Sequence, residues 1–180
     1  LADDSQEIYA RGFRPPRPED GWTVANLVNN CRNARPIASL LRRRLGGAAS
    51  PAVGPEGLGV EYLEAADLDA VTEAVNARLV DLIEVDERDA RQILVATFTT
   101  AVRSHLRVQL GLVRWEDRGE GAVACENVHR VKGLEADTVI LAAAGGEVAD
   151  HLLYVGVSRA VSHLIVVGPE GVGIRLGLRG

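Results

Sequence analysis

Apolar positions along the chain recur at two spacings. Ile37, Leu40, Leu41 and Leu45 follow the three-to-four step of a helix face and predict a helix over 35–45, ended by Gly46 and Gly47. Leu68, Val71, Val75, Leu79, Leu82 and Ile83 predict an amphipathic helix over 68–83. Residues 93–97, 138–143 and 164–167 are instead unbroken apolar runs, rich in β-branched residues, as parallel strands buried on both faces should be. Shorter strands are predicted over 22–28, 60–63 and 123–128. A helix capped by Thr99 or Thr100 runs to about residue 110, and another covers 147–161. Glycines and prolines make 1–21 and 48–57 loops, and the Gly-rich stretch 168–180 reads as a linker or frayed tail. Strands alternating with helices predict an α/β domain with a mostly parallel sheet covered on both faces.

Composition narrows the class. The 180 residues are 47% hydrophobic and 25% charged, which suits one ordinary globular domain. A net charge of −5 argues against a generally basic nucleic-acid binder. It leaves room for a local basic groove, and Arg11, Arg14 and Arg17 cluster, as do Arg42, Arg43 and Arg44. Solvated faces are the plainer reading of both clusters. No run of 18 apolar residues predicts a membrane span, and no secretory signal pattern is present. Cys31 and Cys125 form no C-x-x-C, so a reducing, cytoplasmic setting is expected. The four histidines lack metal-ligand spacing, and Ser158 has no nucleophile-elbow glycines. The chain has no methionine and opens in mid-pattern, so it is expected to continue from a missing upstream part.

Two segments carry candidate chemistry. ENVHRVKGLEADTVIL over 126–141 leads from polar residues through a Lys-Gly turn into a strand. HLLYVGVSRA over 151–160 places Arg159 on an otherwise apolar, small-residue helix. An unpaired buried charge is expensive, and no acid lies within a helical turn of Arg159. The partner is expected from outside the segment, and a phosphate suits it.

These segments resemble the last two motifs of the UvrD/Rep-like superfamily 1 DNA helicases. The first family pattern, T-x-H-x-x-K-G-L-E-F-D-x-V-I, is matched at His129, Lys132, Gly133, Leu134, Glu135, Asp137, Val139 and Ile140, with Asn127 and Ala136 as departures. The second, L-L-Y-V-A-x-T-R-A, is matched at Leu152, Leu153, Tyr154, Val155, Arg159 and Ala160, with Gly156 and Ser158 as departures. Upstream, Asp3, Gln6, Ile8 and Tyr9 resemble the family's G-D-x-x-Q-x-I-Y, and Asn30 and Arg32 resemble its N-Y-R-S, with Cys31 in place of the aromatic.

The resemblance implies a RecA-like C-terminal helicase domain over 22–168, preceded by a motif-bearing segment over 1–21 and followed by a tail over 169–180. The connector between Thr99 and Val123 is short, so the large accessory insertion of bigger members is absent. By resemblance, Arg32 and Arg159 reach the γ-phosphate of ATP held by the other RecA-like domain, and Gln6 senses the same phosphate. Glu135 accepts a hydrogen bond from the ribose, with Lys132 and Gly133 beside it on the nucleotide. Tyr9, Asn127 and His129 face single-stranded DNA. Arginine suits the phosphate role because its planar fork binds oxygens in pairs and keeps its proton. Plainer readings stand beside each role: an ion pair for Arg159, surface charge for Arg32, a cap for Glu135, packing for His129 and Tyr9.

No G-x-x-x-x-G-K-[ST] loop and no acidic metal motif occur in the chain. ATP and Mg2+ are therefore expected on the missing N-terminal domain, and the isolated chain is expected to be inactive. The parent activity implied is an ATP-dependent DNA helicase or translocase. The alternative is a degenerate helicase-like binding or scaffold module.

Overall fold

A computed structural model describes residues 19, 21, 30–45, 53–145 and 147–179. The expected strand over 22–28 and the segment carrying Gln6 and Tyr9 lie outside the described residues. Five strands, β1 (Gly59–Glu64), β2 (Ile93–Thr97), β3 (Ala124–Asn127), β4 (Ala136–Ala142) and β5 (Ala160–Gly168), form one sheet in the order β1-β5-β4-β2-β3. Every strand pair is parallel. All strands therefore start at one edge of the sheet and finish at the other.

The central strands alternate sides residue by residue, which splits the core in two. Leu94, Val139, Leu141, Leu164 and Val166 pack with α1 (Arg35–Arg44), α4 (Asp150–Val157) and α5 (Glu170–Leu176). Ile93, Val95, Ile140, Ile165 and Val167 pack with α2 (Leu68–Val80) and α3 (Thr100–Leu110). Local signals fix the helix ends. Asp67 caps α2 by accepting from the Ala70 N–H at 2.9 Å. Thr99, rather than Thr100, caps α3 through the Val102 N–H at 3.2 Å, and left-handed Gly111 (φ 65°) stops it.

Three expectations are corrected. The helix expected over 68–83 ends at Val80 and passes into a π-helical turn, Asp81–Val85, that keeps Leu82 buried. The helix expected over 147–161 spans only Asp150–Val157, and β5 starts at Ala160. Arg159 therefore sits in the turn between helix and strand, not on the helix. Apolar residues continue on both sides of Ser158 and Arg159, so periodicity could not place that boundary. Tertiary pairing does: the Ala136 N–H donates to the Arg159 carbonyl at 3.2 Å and starts the β4–β5 ladder.

Within the expected tail over 168–180, Glu170–Leu176 form a helix packed on the core. This helix, α5, buries Val172 and Leu176, four residues apart. Gly173 packs against Tyr62, where an added Cβ would come within 2.6 Å of the ring. Glycine there allows close approach, and the composition alone resembled flexibility.

Candidate functional site

The amino edge of the sheet gathers the charged motif residues. Asn30 folds the chain back on itself: its Oδ1 accepts from the N–H groups of Arg32 and Asn33, each at 3.1 Å. This turn holds Arg32 at the surface, where its Nε meets Glu135 at 2.7 Å. The two side chains are 46% and 41% exposed, so the pair contributes about 0–1 kcal/mol and is cheap to open. Glu135 immediately precedes β4 and Arg159 immediately precedes β5. Lys132 and Gly133 lie exposed in the turn before Glu135, and Gly133 takes φ 89°, a conformation that favours glycine.

Arg159 is 1% exposed. Its Nε donates to the Val155 carbonyl at 3.1 Å, and its terminal nitrogens donate to the Leu134 carbonyl at 3.3 Å and the Ser158 Oγ at 2.8 Å. The segment around Leu134 and Glu135 thus touches both arginines. The structure brings Arg32, Glu135 and Arg159 together, with Lys132 and Gly133 on the same turn. A set of guanidinium groups with an exposed lysine suits an anionic oxygen ligand such as a phosphate.

Asn127 and His129 lie at the other edge. Asn127 ends β3, and its Oδ1 accepts from the His129 N–H at 3.0 Å, capping the 3-10 turn Val128–Arg130. Beneath them Glu126 is 1% exposed and paired with Arg107 at 2.9 Å, while the Trp115 N–H donates to it at 3.2 Å. Burial pushes the neighbouring Cys125 thiol up to about 12, so it stays protonated. The Arg118 guanidinium stacks 3.3 Å from the Trp115 ring centroid. A cleft of about 220 Å3 opens between the carboxyl ends of β2 and β4, lined by Phe98, Thr99, Ala144, Val148 and Leu152. Among the described residues no cluster of His, Cys, Asp or Glu could hold a metal ion.

Sequence reading did not single out the role of Asn33 or the Glu126–Arg107 pair. Asn33 followed a recognised motif position, but its partners are more than a hundred residues away. Glu126 stood inside an apolar strand, which is the one local sign of a buried carboxylate needing a cation.

Both motif segments and the strands around them fall in one stretch. Residues 122–167 match the UvrD-like helicase C-terminal domain. Among solved structures, the chain is similar to the C-terminal domain of a possible DNA helicase from Lactobacillus plantarum WCFS1. The TM-score is 0.58 at 22% identity, over 77% of this chain and 86% of that one, a likeness of fold. No curated protein matches the chain. The expected α/β class therefore holds, and the expected likeness to a UvrD-like helicase C-terminal domain holds over residues 122–167. No helix among the described residues is long and apolar enough to cross a membrane.

Proposed function

We propose that this domain is the C-terminal motor half of a UvrD/Rep-like ATP-dependent DNA helicase or translocase. It would supply arginines to ATP held by an N-terminal RecA-like domain and form part of a single-stranded DNA groove. The observation that carries this reading is the meeting of Arg32, Glu135 and Arg159 at the starts of β4 and β5. ATP supplies the phosphoryl group that passes to water, and negative charge spreads over its oxygens in the transition state. Arg32 exchanges one oxyanion, the Glu135 carboxylate, for another, the γ-phosphate. Glu135, once released, accepts a hydrogen bond from the ribose. Lys132 and Gly133 line the same turn, and Gln6 joins from the upstream segment. Arg159 completes the cationic wall. Asn127, 7% exposed, and His129 would serve the DNA strand from the opposite edge, and Tyr9 is assigned to the same strand by resemblance alone. Mg2+ belongs with the N-terminal domain's ligands.

The full-length protein is expected to hydrolyse ATP faster with single-stranded DNA, and the 180-residue chain alone to show neither turnover nor micromolar ATP binding. Turnover by the isolated chain would contradict this division of labour.

One observation favours a scaffold module instead: Arg159 is buried and its head is engaged by carbonyls and Ser158. On that reading Arg159→Ala lowers the melting temperature and leaves turnover alone.

A further inference from the structure

We infer that Asn33 is a positioning residue that sets Arg32 and Arg159 in register with each other. The inference rests on the phosphate reading above and adds to it a residue that differs from the family pattern, which has serine where Asn33 stands. Asn33 is 2% exposed. Its side-chain amide donates to the Ser158 carbonyl at 3.2 Å and to the Ala160 carbonyl at 2.7 Å, bracketing Arg159 on both sides. Its Oδ1 accepts from Asn30 Nδ2 at 3.0 Å, and Asn30 Oδ1 fixes the backbone of Arg32 and Asn33. Backbone pairing from the Ala34 N–H to the Val161 carbonyl at 2.7 Å extends the same seam.

Every polar atom of the Asn33 side chain is thus engaged in joining the loop of one arginine to the turn of the other. Serine, with one hydroxyl proton, can donate to one of these carbonyls at a time; the amide has two N–H groups and serves both. The arrangement fixes the spacing of two cations that come from segments 127 residues apart (Arg32 and Arg159). Such spacing matters because catalysis of phosphoryl transfer is chiefly positioning and electrostatics.

The test is steady-state ATP hydrolysis by the full-length protein with single-stranded DNA, alongside melting temperature. Asn33→Ala is expected to lower kcat by about 10²-fold, the scale of a 1 Å misplacement, with KM for ATP nearly unchanged. Asn30→Ala, at a half-buried position, is expected to give a smaller loss of the same kind. The Asn33→Ala/Arg159→Ala pair is expected to fall far short of the product of the two single losses, because the residues act as a unit. Normal kcat with a depressed melting temperature in Asn33→Ala, or losses that multiply in the pair, would overturn the inference. If Asn33→Ala does not fold, wild-type kcat in Asn30→Ala overturns it. Failure of the underlying phosphate reading looks different: Arg32→Ala and Arg159→Ala then turn over ATP as fast as the wild type.

Discussion

At the amino ends of β4 and β5 the candidate residues are charged, come from three distant segments, and include an exposed ion pair between Arg32 and Glu135. At the carboxyl end of β3 the charged pair is Glu126 with Arg107, and its carboxylate is buried. The two pairs have similar N–O distances, 2.7 Å and 2.9 Å, and opposite consequences. Water already screens the first, so a phosphate can replace Glu135 at little cost. The second has no such exchange open to it, because removing Arg107 strands the Glu126 carboxylate in the core. On the proposed reading one edge changes partners, while the other holds the shape on which Asn127 and His129 sit.

The largest expected effect separates the edges by activity. Arg32→Ala in the full-length protein should lower DNA-stimulated ATP turnover by about 10³-fold or more, the scale of a lost arginine finger, with a nearly unchanged melting temperature. Arg159→Ala should lower turnover on the same scale and depress the melting temperature too, since its head holds the Val155 and Leu134 carbonyls. Lysine should rescue neither fully, because a point charge cannot reproduce the fork. Stability and activity assays run together check this.

The second effect is on stability. Arg107→Ala leaves the buried Glu126 with the Trp115 N–H and the more distant Arg130, at 3.5 Å. It should cost about 3 kcal/mol, a melting-point drop of roughly 10 °C for a domain of this size. Thermal denaturation measures it. A drop as small as that of Arg32→Ala would erase the distinction between the two pairs.

The smallest effect concerns DNA. Asn127→Ala should weaken single-strand binding by about tenfold, roughly 1.4 kcal/mol, in a fluorescence titration without nucleotide, while Arg32→Ala leaves that affinity unchanged. Equal losses in both variants would place DNA and nucleotide at one edge.

How legible all this was depends on how local each cause is. The strand over 93–97 was readable to the residue because both faces are buried and nothing interrupts the apolar run. A cap at Thr99 or Thr100 and an end near residue 110 were readable because capping is decided within one turn, and the structure chose Thr99. The start of β5 was not, since apolar residues continue on both sides of Ser158 and Arg159 and the boundary is made by β4 and Asn33. Helix α5 was hidden by its glycines, one of which exists to admit the Tyr62 ring. The motif residues were found by type and spacing. The family resemblance implied that Arg32 and Arg159 act together, but not that one is exposed and the other buried.

The central claim is that the amino edge receives the γ-phosphate. The most direct measurement is a crystal structure of the full-length protein with ADP, beryllium fluoride and Mg2+. The account predicts the Arg32–Glu135 pair opened, with Arg32 and Arg159 nitrogens within hydrogen-bond distance of the fluoride oxygen-mimics and Glu135 near the ribose. A nucleotide bound with Arg32 still on Glu135, and both arginines away from the fluorides, would contradict it.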